Sequence, residues 1–475
     1  MKKLVVIGGG VSGLCAGIFA LQRGVSCTVI DKNKSGAGAL CSWKRGGYEI
    51  DGCLHWLTGT KEGTELYEIW KQTGVLTDVT VKTDAIFTSV TNDVSVSFYD
   101  DAEKTKDEMI KAYPEDEREI LKFFRAVKAA SSVSGTEGEK AMKKSESLLT
   151  LAPYALLSAG ELAMRFKSRG MRRAVCDITG KKYSSLGLIF AYAAYSRGNG
   201  YLPEGGSGGA AKRLVERFRE LGGEHLTGKR AVHADTEDGT VKVILSDGAS
   251  VCGDVLLCCT DPIRAATSLF DRSYLPERTV RMIRNKAKYP LFSSVHFAFS
   301  AKKNDIHFKN TVFFPCARHS VGSVNCDRMM AREFSHEGSF APDGMSVIQT
   351  MVFADEADCR RWIDLKKRGD GGYGEAKRKA ADEVAQRICD AYPSLSGSLE
   401  LIDSWTPATF SRYTCSTLGA YMGFAVTPGV IPRRFPMRLK GLDRVWFASG
   451  TARMPGGVPC AAYAAKDAVT AILDG

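Results

Sequence analysis

This chain of 475 residues has few of the features that mark a membrane span, a metal centre or a nucleic-acid surface. No run of about 18 apolar residues is present to cross a bilayer. Histidine is scarce, at seven scattered residues, and no HExxH or ligand-spaced cluster supports a metal site. No Ser-His-Asp set can be read, which removes the common nucleophilic hydrolases. The fourteen cysteines include no CxxC pair, so neither a zinc ribbon nor a thioredoxin-type site is expected. Many lie in apolar stretches, as Cys258 and Cys259 do, and read as reduced, buried thiols in a cytoplasmic protein. The net charge is +11, yet no basic block interleaved with aromatics stands out. Short clusters such as Lys302-Lys303 and Arg433-Arg434 read as solvated surface. Nucleic acid is therefore not an expected partner, and an anionic membrane surface stays open. Internal repeats and low-complexity tracts are missing as well. Met1-Lys2-Lys3 precedes only four apolar residues, too few for the apolar region of a signal peptide.

What is present is an ordinary globular composition, 44% hydrophobic and 25% charged, in a chain long enough for two or more domains. Its most informative segment comes first. The apolar strand Leu4-Val5-Val6-Ile7 runs into Gly8-Gly9-Gly10-Val11-Ser12-Gly13, with glycines at the GxGxxG spacing. A helix-like run to Arg23 ends at Gly24, and a second apolar strand from Ser26 ends on Asp31. This is a complete strand–helix–strand nucleotide-binding unit. Gly8 permits the tight turn, Gly10 lets the backbone approach a pyrophosphate, and Gly13 lets helix and strand pack closely. The helix N-terminus presents free N–H groups to phosphates, and Asp31 can accept hydrogen bonds from both ribose hydroxyls of an adenosine.

The rest of the chain alternates between sheet-like and helical patterns. Residues 62–75 read as a short helix and 78–100 as strands; 101–200 turn helical. Within that stretch, residues 148–166 are rich in Leu and Ala, with Lys143, Lys144, Arg165 and Lys167 at the flanks. They read either as a buried domain helix or as a segment that dips into a membrane. A glycine turn at 204–209, a helix over 210–221, a meander through Ala231, Val243 and Val251 and a strand over 254–259 follow. Strands at 291–300 and 346–354, a helix at 374–392, a strand at 445–448 and a helix from Ala461 to Leu473 complete the pattern. Two interleaved domains are expected. Residues 1–100, 205–285 and 411–475 form the nucleotide-binding one, 101–204 a mainly helical lid and 286–410 the substrate domain.

These segments, in this order, resemble the flavin-dependent family of phytoene desaturases, carotenoid isomerases and retinol saturases, and more distantly the amine oxidases and protoporphyrinogen oxidases. The resemblance spans the whole length. It is strongest at residues 8–31, at Tyr48-Glu49-Ile50-Asp51-Gly52 and at the closing turn Gly450-Thr451-Ala452-Arg453-Met454-Pro455-Gly456-Gly457-Val458-Pro459. It implies an α/β fold, with a Rossmann-like FAD-binding domain of the glutathione-reductase and amine-oxidase type interleaved with a mixed α+β substrate domain. It implies FAD as a tightly held cofactor and a roof over an apolar channel. Cofactor contacts are expected at Gly8, Gly10, Val11, Ser12, Gly13, Asp31 and Lys32, then at Gly38, Ala39, Leu40 and Trp43. Gly450, Thr451, Gly457, Val458 and Pro459 would wrap the flavin end, where the dipole of the closing helix meets the ring. Val232 falls where relatives grip the adenine with main-chain atoms, and Thr260 ends a strand passing the adenosine. His55 and Trp56 fall near the flavin face, or they pack as core residues. Tyr421 lines the substrate channel, or packs. His55 and Tyr421 are the candidates for a direct part in the chemistry. The family's glycine doublet after the second strand is broken here, as Gly36-Ala37-Gly38-Ala39-Leu40, and Lys44 or Arg45 is expected to supply the basic charge near the pyrophosphate. The closing helix reads Ala462-Tyr463-Ala464-Ala465-Lys466, where many relatives have Ser-Gly-Arg.

The expected activity is oxidation, reduction or isomerisation of an apolar unsaturated molecule of polyene or isoprenoid type, with a small apolar substrate as partner and peripheral membrane contact as an option. One alternative is a flavin amine oxidase. Another is a non-catalytic lipid-binding escort, as in the Rab GDP-dissociation inhibitors of the same fold.

Overall fold

The computed structural model describes residues 2–35, 37–91, 94–133, 144–237, 239–270, 273–291, 293–324, 326–430 and 433–474. Two sheets organise the chain. The first is parallel and five-stranded, in the spatial order Val445–Phe447, Val255–Cys258, Lys3–Ile7, Ser26–Asp31, Glu224–Thr227. Its central strands are almost wholly apolar because helices and a meander cover both faces. On one face lies the helix Val11–Gln22, packed between Gly206–Glu220 and Gly457–Asp474. Small residues make this possible: Ala16, Ala20, Ala461, Ala462 and Ala465 are buried at or near zero exposure. On the other face the antiparallel meander Ala231–Glu237, Thr240–Leu245, Ser250–Gly253 buries Val241, Val243 and Leu245 against Val5, Ile7 and Leu256.

The second sheet is mixed and seven-stranded, in the order Glu400–Trp405, Ser293–Lys302, Met345–Ala354, Arg328–Glu333, Thr311–Pro315, Ala85–Val90, Ser95–Tyr99. Its neighbours are antiparallel except Thr311–Pro315 and Ala85–Val90. The helices Glu356–Arg368 and Gly372–Ala391 pack against it through Trp362, Val384 and Ile388. Its other end meets the helices Glu117–Val133, Arg169–Asp177 and Leu186–Tyr195 through Phe87, Phe98 and Phe313. Beneath that junction Asp177 binds Arg328 through two oxygens, with Ser89 bonded to both partners. Burial raises the Asp177 pKa, against the hydrogen bonds from Arg328 and Ser89.

Three expectations change. Strands Ala85–Val90 and Ser95–Tyr99, grouped by chain position with the nucleotide-binding part, form the edge of the seven-stranded sheet instead. Their aromatic residues Phe87 and Phe98 stack at 4.3 Å and need the helical layer to cover them. Residues 148–166 are not one helix. The helix Lys144–Ala155 stops, and Ala159–Ala163 restarts under a capping box made by Ser158 and Glu161. Leu148, Leu149, Leu156 and Met164 stand exposed rather than buried. The helices expected from 210 and 461 begin earlier, at Gly206 and Gly457, so they take in the last residues of the glycine turns before them. Gly36 and Lys143 lie outside the described residues.

Candidate active site

The carboxyl ends of the parallel strands carry the glycine turn. Gly8 sits at φ +106°, a conformation open to glycine, and a Cβ there would lie 2.9 Å from Thr260 Cγ2. A Cβ on Gly13 would lie 1.9 Å from the Gly8 carbonyl oxygen, so this glycine serves helix–strand packing. Gly10 caps the helix with no side-chain hydrogen bond, and Val11, Ser12 and Gly13 are buried in the first turn. A buried helix start without a capping acceptor is a place for an anion to accept those N–H groups. Asp31 ends its strand at the same level. Its Oδ2 accepts from Gly9 N at 2.8 Å and its Oδ1 from Asn33 N at 2.7 Å. Burial raises its pKa, against these two bonds.

The chain's other end is pinned alongside. Ser12 Oγ donates to the carbonyls of Ala448 and Ala461, at 3.1 and 2.9 Å. This ties the opening helix to the closing strand and closing helix. Ser449 Oγ accepts from Ala452 N at 3.1 Å and holds the turn at Gly450. The closing helix then starts at Gly457, four residues earlier than its apolar pattern suggests. Pro459 fits its first turn, where a missing N–H costs nothing.

Both turns open on one cavity of about 1890 Å³. That is well above the roughly 300–1,000 Å³ of a drug-sized site, leaving room for a dinucleotide and a second long molecule. Gly8, Gly10, Val11, Ser12, Asp31, Lys32, Gly38, Ala39 and Leu40 line it, as do His55, Trp56, Val232, Thr260, Tyr421, Gly450, Thr451, Gly457, Val458 and Pro459. Val232 stands at a bulge, where the ladder register jumps from Ala231 to His233. Gly13 is behind the turn and does not line the cavity. Trp43 does not line it either. Its Nε1 donates to Asp403 at 3.0 Å and its ring meets Trp405 edge-on at 5.0 Å, which fixes it to the substrate sheet. Lys44 and Arg45 point away and pair with Glu49 and Asp403 on the surface. The basic residues that do face the cavity are Lys32, Lys229, Arg230, Arg264, Arg332 and Arg453.

Where the two sheets meet, the candidates His55 and Tyr421 lie with polar groups that sequence reading missed, His296, Ser294 and Arg332. His296 lies flat against Trp405 at 4.8 Å, and its Nε2 is 2.7 Å from Ser294 Oγ. Ser294 in turn meets the Tyr421 hydroxyl at 2.9 Å. Burial pushes the pKa values of His55 and His296 down to about 3, with Arg332 adding to the effect at His55. Both imidazoles are neutral at neutral pH. Burial also pushes Tyr421 up to about 12, so it keeps its proton. Arg332 is 5% exposed and donates to the Leu54 carbonyl. Beyond these groups the walls are apolar, with Phe87, Ile178, Leu186, Phe190, Phe313 and Met351 among them. Ser294 and His296 share one strand and Arg332 lies on another, so no sequence spacing joins them into a motif.

The cradle fits a dinucleotide: uncapped N–H groups for the pyrophosphate, Asp31 for the ribose, and the closing helix start facing the far end of the same cavity. This defines a flavin-type dinucleotide-binding fold with a second, substrate-facing sheet. A sequence profile of the flavin containing amine oxidoreductases matches residues 11–473, and the chain belongs to that family. It is an FAD-dependent oxidoreductase. It is 22% identical over 470 residues to the prolycopene isomerase of Daucus carota, covering 92% of this chain and 73% of that one. It is 21% identical to the 1-hydroxycarotenoid 3,4-desaturase of Flavobacterium sp. (strain P99-3), covering 98% of each. Among solved structures, an oxidoreductase from Methanosarcina mazei shares the fold with a TM-score of 0.65 at 12% identity, covering 100% of both chains. Among the described residues, no helix is long and apolar enough to cross a membrane and no side-chain group is set to hold a metal. All fourteen cysteines are free thiols.

Proposed function

We propose that this enzyme desaturates, saturates or isomerises a long, apolar, unsaturated molecule of polyene or isoprenoid type. The observation that carries this reading is the continuous cavity that runs from the dinucleotide cradle to apolar walls built by both the seven-stranded sheet and the helical layer. Two similar proteins named for polyene chemistry, the isomerase and the desaturase above, support it. In this reading the opening and closing turns hold FAD, which supplies hydride and electron transfer when bound. Gly8, Gly10 and the first turn at Val11 and Ser12 take the pyrophosphate, Asp31 the ribose and the Val232 backbone the adenine. Phe87, Phe190, Phe313 and Met351 grip the substrate by apolar contact and exclude water from the reacting bond. His55, His296 and Tyr421 stay neutral beside it and add no charge to an apolar pocket. Anaerobic mixing of the FAD-loaded protein with conjugated and non-conjugated polyenes tests this. Bleaching of the flavin band or a shift of polyene absorbance supports it. Inertness to the panel, with peroxide release from amines in air, overturns it.

In the same reading the enzyme works in the cytoplasm, touching an anionic membrane to collect its substrate. Leu149, Leu156 and Met164 are 76%, 69% and 69% exposed. They lie on the segment whose Ala155 reaches the cavity, with Lys144, Arg165 and Lys167 nearby in sequence. Exposed leucines beside basic residues suit an interfacial contact. Co-sedimentation with anionic vesicles that is lost on Leu148→Ser, Leu149→Ser and Leu156→Ser together supports this. No vesicle binding by the unaltered protein, or binding unchanged by the three substitutions, overturns it.

A further inference from the structure

The cavity has apolar walls and a cradle built for phosphate, so a buried cation that lines it outside that cradle needs an explanation. Arg332 is that cation. Among the described residues its guanidinium makes one hydrogen bond, to a neutral acceptor, the Leu54 carbonyl, and lies 4.5 Å from the Phe334 ring. Among the described residues it forms no ion pair. Two acids, Asp51 and Glu333, act on Arg332 through space, and the hydrogen bonds that each accepts come from other groups. Asp51 accepts from Cys53 N at 3.0 Å, Leu54 N at 3.2 Å, Ser207 N at 2.8 Å and Ser207 Oγ. Glu333, on the opposite face of the same strand, accepts from Asn310 N at 3.0 Å and from Ser335 N at 2.7 Å. A buried guanidinium in no direct ion pair is costly, and the Leu54 carbonyl with the through-space pull of Asp51 and Glu333 leaves most of its donors unused. Guanidinium has five donors in a plane that matches a carboxylate through two parallel bonds.

A second observation points the same way. Gln349 stands directly opposite Arg332 in the antiparallel ladder, so their side chains share a face. Both line the cavity. The Gln349 amide nitrogen is buried and has no hydrogen-bond partner among the described residues. Two sets of unused donors on adjacent strands thus face one space. A neutral hydrocarbon satisfies neither set. His55 and His296, which line the same cavity, are neutral and do not compete with the cation; Tyr421 keeps its proton, and the carboxylate of Asp51 is held by Cys53, Leu54 and Ser207.

We infer that Arg332 and Gln349 form a carboxylate subsite, and that the substrate is a long unsaturated molecule with an acidic head group rather than a pure hydrocarbon. The inference rests on the cavity being the site of a long apolar molecule. Arg332 supplies the two parallel N–H donors and the charge, and Gln349 adds one amide donor. The apolar tail lies along Phe313, Met330 and Met351.

The FAD-loaded protein is titrated with oleate and, separately, with oleyl alcohol, following tryptophan fluorescence and the flavin spectrum. Oleate is expected to bind at least about tenfold tighter than the alcohol, about 1.4 kcal/mol. Arg332→Met is expected to erase that preference while leaving the alcohol unchanged. Arg332→Lys is expected to keep part of it, and Gln349→Leu to reduce it about threefold, or ~0.7 kcal/mol. The urea unfolding midpoint of each variant checks that it folds, and Gln349→Leu carries the test if Arg332→Met does not. Equal binding of acid and alcohol to the unaltered protein overturns the carboxylate subsite alone. So does an acid preference that survives both Arg332→Met and Gln349→Leu. A drop in flavin content or a changed flavin reduction potential in folded Arg332→Met, with the acid preference intact, assigns the guanidinium to the cofactor and also overturns it. Binding of neither probe overturns the cavity reading and the subsite with it.

Discussion

The five-stranded and seven-stranded sheets serve one cavity by different means. The parallel sheet brings backbone to its ligand. Its contacts are N–H groups, glycine Cα atoms and one acid, supplied by two turns that lie at opposite ends of the chain. Ser12 joins those ends with two hydrogen bonds, to Ala448 and Ala461. The mixed sheet brings side chains. His296, Arg332 and Gln349 come from three strands of that sheet, and Tyr421 comes from a loop that packs beneath them. Backbone recognition suits a constant cofactor, because it depends on turn geometry. Side-chain recognition suits a substrate that differs between relatives, because one residue can change without disturbing the strand that holds it.

Breaking the parallel half has the largest expected effect. Gly13→Val places a branched side chain where even a Cβ would be 1.9 Å from the Gly8 oxygen. The turn must shift, and the flavin-to-protein absorbance ratio is expected to fall about tenfold or more, ~1.4 kcal/mol at least. Breaking the mixed half at its buried ion pair gives the reverse signature. Asp177→Ala leaves Arg328 charged and unpartnered under the sheet, and is expected to cost about 3–5 kcal/mol in denaturant unfolding. The fraction that stays folded should retain its flavin, which separates the two halves.

A pH series sharpens the same contrast. His55 and His296 ionise near pH 6.5 when unfolded and at about 3 when folded. The unfolded chain therefore binds more protons across that window, and stability is lost as pH falls from about 6.5 toward 3. Each histidine contributes up to about 1.4 kcal/mol per pH unit. Urea midpoints at pH 7 and pH 5 should differ more for the unaltered protein than for His296→Asn, because the variant lacks one of the buried histidines that titrate in this window. The smallest effect is expected from Tyr421→Phe, which removes one hydroxyl from Ser294. It should cost about 1 kcal/mol or less in the unfolding midpoint, with flavin content unchanged.

The difference between the halves also decides what could be read from sequence. The opening unit is local: strand, glycines, helix and Asp31 lie within one short stretch, and each residue's task follows from its spacing. The closing turn became legible once paired with it. Lys44 and Arg45 misled because charge alone does not say which way a hairpin faces; their partners Glu49 and Asp403 hold them on the surface. Trp43 misled for the same reason, since Trp405 and Asp403, far along the chain, decide its position. Arg332 and Gln349 carried no signal, as their meeting depends on the register of two strands rather than on any spacing. Residues 148–166 stayed open between a buried helix and membrane contact, because apolar content does not reveal that one helix stops at Ala155, that another starts at the Ser158 capping box, and that Leu148, Leu149 and Leu156 are left exposed.

The central claim is that an adenine dinucleotide lies along the opening turn, with its reactive ring held by the closing one. The most direct measurement is the visible absorption spectrum of the purified protein, before and after incubation with FAD and removal of the excess. The account predicts flavin bands at one cofactor per chain, which Gly13→Val lowers about tenfold or more. A colourless protein that takes up no FAD, or flavin bands that Gly13→Val leaves intact, would contradict it.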